Sequence, residues 1–270
     1  MSFSAKELIK QRKSVRTFDG KPLSEEDKKE LENYIGALAN PFDVPVTARL
    51  LDVQEHRLSS PVVVGENEYI AAKIERGPHC ELGYWYSFEK LCLYALSRGI
   101  GTVMLALAID RPAFEKAMEV QPNEIMPVAT PVGYPAEKKS VREAMMRKGL
   151  KADGRKPFDS IFFDRSFEHG LEPKDAGVFA DALEGARWAP SAGNSQPWRA
   201  VVDGNKVHFY KAIPPKEFPH WDAQELDVGI ALAHFEAILE ENGVTGAFVF
   251  ADPCASVPQN IRYVVTYERD

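Results

Sequence analysis

The feature that most limits how this chain can fold is a helix with no polar side. From Leu82 to Ser97 the residues LGYWYSFEKLCLYALS are apolar almost all round, and a helix of that composition has to be covered on most of its faces. Gly99 ends it, and Gly99-Ile100-Gly101-Thr102 leads into the next element. A second segment of the same kind, Leu226 to Asn242 (LDVGIALAHFEAILEEN), stops at Gly243-Val244-Thr245-Gly246. Both helices are expected at the centre of a core, and a chain of 270 residues is long enough to build one. A helix also starts after Pro22 and another after Pro173, at nearly the offset that separates Gly99 from Gly243. Two separate features at nearly one offset suggest a duplicated half-domain.

Shorter patterns surround these two. Ser4 to Arg12 reads as a helix with Ser4 and Glu7 as a capping box. Ser24 caps a helix that ends near Asn40-Pro41, and Arg111 to Met118 is a short helix with Pro112 in its first turn. Pro173 to Arg187 is a further helix. Strand patterns occupy Val46 to Val53, Val62 to Gly65, Ala200 to Val202, Lys206 to Tyr210, Gly246 to Ala251 and Ile261 to Tyr267. Met126 to Lys138 reads as a strand ending in a Pro/Gly turn, whose backbone groups are expected to stay open for a ligand edge. Lys138 to Lys156 is basic and reads partly as a mobile connector.

Composition excludes several function classes. A formal net charge of −7 argues against nucleic acid or an anionic membrane as the main partner. No run of about 18 apolar residues offers a membrane span. The N-terminal residues carry charges where a signal peptide needs an apolar core, so a cytoplasmic location is expected. Cys80, Cys92 and Cys254 are far apart and read as reduced thiols. The histidines are dispersed without metal-site spacing, and no metal is expected. Gly-x-Gly-x-x-Gly and the phosphate-loop pattern are both absent, which sets aside the common nucleotide folds.

Chemistry concentrates in three places. Ala189-Pro190-Ser191-Ala192-Gly193-Asn194-Ser195-Gln196-Pro197-Trp198 follows a helix and precedes a strand. Pro190 stops the helix, Gly193 allows a left-handed turn, and the amide and hydroxyl side chains lie on a short loop suited to a planar heterocycle. Arg12-Lys13-Ser14-Val15-Arg16 puts three cations and a hydroxyl at a helix exit, a donor set suited to a phosphate. Pro131-Val132-Gly133-Tyr134-Pro135-Ala136-Glu137-Lys138, with the later Arg155-Lys156-Pro157, is the third.

Together these motifs resemble those of the nitroreductase family of flavoproteins. The resemblance implies an α+β fold, with a central, mostly antiparallel sheet flanked by helices. It implies FMN as cofactor and NAD(P)H as electron donor, with a nitroaromatic, quinone or similar small molecule as acceptor. Arg12, Lys13, Arg16, Arg155 and Lys156 would then meet the phosphate, with Ser14 adding a hydrogen bond. Pro190, Ser191, Ala192, Asn194 and Gln196 would approach the ring and ribityl chain, and Thr130, Pro131, Val132 and Gly133 would line the other side. No catalytic acid or base is named, since the flavin carries the electrons.

The order of the motifs departs from ordinary members, which are homodimers with the Pro-Ser-x-x-Asn loop soon after the basic motif. Here Ala39-Asn40-Pro41-Phe42-Asp43 is a degenerate loop, and Asp164-Arg165-Ser166-Phe167 is a poor copy of the basic motif. The expectation is a fused pseudo-dimer, with halves 1–160 and 161–270, one composite flavin site and a monomeric chain. A flavin-binding or degenerate scaffold without turnover is the alternative.

Overall fold

The computed structural model describes residues 4–138, 140–149, 153–214, 221–253 and 256–270. Part of the Lys138–Lys156 stretch, His220 and Cys254 therefore lie outside the described residues. In chain order the elements are α1 (Ala5–Gln11), α2 (Glu25–Gly36), β1 (Thr47–Asp52), α3 (Val53–His56), β2 (Glu68–Glu75), α4 (Cys80–Ser97), β3 (Gly101–Thr102), α5 (Arg111–Ala117), β4 (Glu124–Ile125), β5 (Ala129–Gly133) and α6 (Val141–Gly149). They continue with β6 (Phe162–Asp164), α7 (Ala180–Arg187), β7 (Trp198–Asp203), β8 (Lys206–Ala212), α8 (Ala223–Glu241), β9 (Gly246–Val249) and β10 (Ile261–Arg269). Among the described residues no helix is long and apolar enough to cross a membrane.

The chain forms two compact units. One comprises Gln11–Cys80 and Ser87–Ala152, the other Met1–Lys10, Glu81–Tyr86 and Asp153–Asp270. In the first, a five-stranded sheet has the order β1-β2-β5-β3 with β4 also on β2, and every pairing is antiparallel. Its core gathers Val15, Phe18, Leu51, Tyr69, Val103, Phe114, Met126 and Ala129. β2 carries two charged residues inside this core, each neutralised locally. Lys28 Nζ lies 3.3 Å from Glu68, and Lys73 Nζ donates to Glu124 at 2.8 Å. α2 starts as expected, with the Ser24 hydroxyl accepting from the Asp27 amide at 3.1 Å.

In the second unit the sheet order is β6-β7-β8-β10-β9, antiparallel except for the short parallel pair β6–β7. α8 is buried from Leu226 to Phe235. Its Phe235 ring meets Phe209 and Tyr267 edge-on, with centroids 5.0 and 5.3 Å away. Gly229 allows a close helix approach: a Cβ there would stand 2.5 Å from the Leu82 carbonyl oxygen.

Several expectations change. The mostly antiparallel sheet of the expectation is present as two five-stranded sheets, one in each unit. Val62 to Gly65 is not a strand but carries a single bridge from Val64 to Thr17. The stretch after Pro173 opens with two short 3-10 turns before α7. Within the Lys138–Lys156 stretch, residues 141–149 form α6.

Candidate functional site

The loop from Ser191 to Trp198 is a braced structure. Its base is Trp198, which begins β7 and is fully buried. Gly193, Asn194 and Gln196 have φ of 59°, 56° and 50°, so two non-glycine side chains occupy the left-handed region, which persists only where surroundings enforce it. Those surroundings are visible. The Asn194 amide donates to the Ser191 carbonyl at 3.0 Å, Ser195 to Ala192 at 3.1 Å, and Gln196 to the Ser191 hydroxyl at 2.9 Å. From α8, Asp227 accepts the Ala192 amide with both carboxylate oxygens at 3.1 Å and the Ser195 hydroxyl at 3.4 Å.

The same loop holds the segment after Asp153. Gln196 Oε1 accepts the Lys156 amide at 2.8 Å, and Asn194 Nδ2 donates to the Gly154 carbonyl at 3.0 Å. Lys156 Nζ returns the contact, donating to the Ser195 carbonyl at 2.7 Å and to that of Gln196 at 3.3 Å. Arg199 donates to the Gln196 carbonyl at 3.0 Å. Two cations thus converge on one carbonyl, and burial followed by repulsion from Arg199 pushes the Lys156 ammonium below its usual value. Burial does the same to Arg199. Arg155 lies over the Trp188 ring, 4.9 Å from its centroid, and donates to the Trp188 carbonyl at 3.0 Å.

The structure brings Arg155 and Lys156 together with Ser191, Asn194 and Gln196. It also shows that Asn194 and Gln196 spend bonds on Gly154 and Lys156. Asp227 and Arg199 are site residues that sequence reasoning missed. Asp227 was detectable as a lone carboxylate early in an otherwise apolar helical run.

The basic segment lies in the first unit. The Val15 amide donates to the Thr102 carbonyl at 2.9 Å, and the Phe18 amide to that of Val64 at 2.8 Å, so residues 14–18 are extended and stitched at both ends. Arg12 Nε stands 3.9 Å from the buried carboxylate of Glu89, beyond hydrogen-bond range. Lys13 is exposed, and Ser14 and Arg16 are half-buried. A carboxylate on α6 holds this segment: Glu143 accepts the Arg16 amide at 3.1 Å and the Thr17 hydroxyl at 3.0 Å.

Thr130, Pro131, Val132 and Gly133 are placed otherwise than expected. β5 lies between β2 and β3, with Val132 opposite both Glu68 and Thr102. All four residues are buried. The ladder takes up Val132 on both sides, Thr130 and Pro131 on the β2 side and Gly133 on the β3 side; the Pro/Gly turn lies beyond, where Phe18 bridges Pro135. The Thr130 hydroxyl accepts the Val103 amide at 3.0 Å, and Gly133 packs against the Phe18 ring.

A family model described as "Putative TM nitroreductase" matches residues 4–238. The chain belongs to this nitroreductase family. Its fold is likewise nitroreductase-like and α+β. A structure described as a "putative nitroreductase" from Thermotoga maritima is similar over 99% of this chain and 94% of that one, with 20% identity and a TM-score of 0.63. A Bacteroides thetaiotaomicron protein, "Putative NADH dehydrogenase/NAD(P)H nitroreductase", matches 52% of this chain and 91% of its own, with 21% identity and a TM-score of 0.43. An "FMN-dependent Nitroreductase" from Clostridium difficile covers 49% of this chain and 88% of its own, at 11% identity and a TM-score of 0.42. No curated protein matches the chain significantly.

Proposed function

We propose that this member of the nitroreductase family is an FMN-dependent oxidoreductase. It takes hydride from NAD(P)H and reduces a nitroaromatic, a quinone or a similarly electron-poor small molecule. The observation that carries the reading is the braced 191–198 loop with Arg155 and Lys156 clipped to it, in a chain whose family is oxidoreductive.

The donor set fits the cofactor. Lys156 and Arg199 crowd like charges at one carbonyl, and an anion relieves that repulsion. Arg12, Lys13, Arg16, Arg155 and Lys156 are assigned to the phosphate, with Ser14 adding a hydroxyl. Ser191, with Pro190 and Ala192, offers a neutral edge to the ring and ribityl chain. Asn194 and Gln196 keep that edge in shape. Thr130 to Gly133 act through the strand that seats Phe18 and the basic segment. Bound FMN would supply the hydride-accepting and hydride-donating chemistry. The protein's part is position and charge.

We further propose that the chain is two fused half-domains and works as a monomer; a sedimentation mass of two chains would contradict this. The functional test is NAD(P)H oxidation by the FMN-loaded protein with a nitroaromatic and a quinone as acceptors. Turnover that falls at least about tenfold in both Arg12→Ala and Asn194→Ala, with weaker FMN affinity, is expected from lost charge-assisted bonds and lost loop shape. Bound flavin that NAD(P)H does not reduce would instead favour a flavin-binding protein without turnover.

A further inference from the structure

Asp227 is a charged residue in the wrong place for stability. It sits on α8 at 5% exposure, within a run that is buried from Leu226 to Phe235. Its hydrogen-bond partners among the described residues are neutral: the Ala192 amide and the Ser195 hydroxyl. Burial pushes the carboxyl up to about 7, against the smaller opposing effect of those two bonds. A buried carboxylate met only by neutral donors is a weak contributor to folding. Its geometry, however, is specific. The accepted amide is at the first residue of the turn and the accepted hydroxyl near its last, so one side chain sets the span between them.

The loop's other bonds lie within and beside that span. With Ala192 and Ser195 fixed, the Ser191 hydroxyl meets the Gln196 amide, and Asn194 and Gln196 hold their left-handed conformations facing Gly154 and Lys156. We propose that Asp227 is the positioning residue of this loop: its carboxylate sets the Ala192–Ser195 turn and, through it, the edge that the loop presents to the flavin. The geometric half stands on this structure alone. The consequence for the cofactor rests on the FMN reading above.

The test compares the wild-type full chain with Asp227→Asn and Asp227→Ala. Backbone amide exchange is followed by NMR without flavin, and FMN affinity is measured by titration. The alanine variant is expected to lose protection at the Ala192 amide by about tenfold or more, while amides of β10 keep theirs. FMN affinity should fall by a similar factor. The asparagine variant, which keeps an acceptor oxygen of the same shape, should restore part of both. A uniform loss of protection through β10 would reduce Asp227 to a structural role and overturn the proposal. So would unchanged Ala192 protection and FMN affinity in both variants. If the wild type binds no FMN, the reading of the cofactor fails, while the exchange pattern still decides whether Asp227 sets the turn.

Discussion

Two asparagine turns in this chain follow a helix, and they use the same side chain in opposite ways. After α2, Asn40 closes its own turn. Its Oδ1 accepts the amides of Phe42 and Val44 at 3.2 Å, and its Nδ2 donates to the Val44 carbonyl at 2.7 Å and the Ser87 hydroxyl at 3.1 Å. Phe42 then plugs into the core at 8% exposure. After α7, the turn at Asn194 is closed by backbone bonds and by Asp227, which releases Asn194 and Gln196 to reach the Gly154–Lys156 segment. In the first unit the helix below contributes a neutral serine; in the second, α8 contributes a carboxylate. An asparagine consumed by its own turn makes a stop. One freed by an outside anchor can brace a second segment and its cations.

The largest effect that would break this contrast is at Trp198. Removing this fully buried ring in Trp198→Ala should destabilise the chain by about 3–5 kcal/mol and abolish the loop's base, read by urea unfolding and by loss of FMN binding. Asn40→Ala should come next, at about 2 kcal/mol, because it strands the backbone groups its amide satisfies. It should leave FMN affinity per folded molecule unchanged; a change there would show that the first turn is not merely a stop.

The anchor itself gives a pH signature. Because the folded state raises the Asp227 carboxyl to about 7, the native chain holds a proton that the unfolded chain releases nearer pH 4. Stability from this group is therefore full at low pH and falls as pH rises between about 4 and about 7, by at most ~1.4 kcal/mol per pH unit. Asp227→Asn should remove that slope, seen as the difference between the two proteins' urea-unfolding free energies across the window. Parallel curves would contradict a buried carboxylate at this position. The smallest effect expected is for Gln196→Ala, about 1 kcal/mol from its bond to the Lys156 amide, with exchange at Lys156 accelerated and α2 unaffected.

Much of this was legible in the sequence, for reasons that differ by region. α4 and α8 are apolar almost all round, and a buried helix fits such a run best. Ser24 and Ser4 announce their helix starts through local hydrogen bonds that need no tertiary partner. β2 was hidden because Glu68 and Lys73 interrupt its apolar pattern, and their neutralising partners, Lys28 and Glu124, are far away in sequence. Val62 to Gly65 misled in the opposite sense: it is apolar, yet Val64 is 59% exposed and bridges only Thr17. At the site, the loop residues were readable from turn chemistry. Arg199 was not, and Asp227 stood out only as a lone carboxylate in an apolar run, because the roles of both depend on which backbone atoms they meet. Thr130 to Gly133 looked open because a Pro/Gly turn follows them, but each of the four is paired with β2 or β3, and Val132 with both.

The most direct test of the central claim is the visible absorbance of freshly purified chain, before and after FMN and then NADPH are added. The account predicts a yellow band that saturates at a single flavin per chain and is bleached by the nicotinamide. A colourless protein that takes up no added FMN would contradict it.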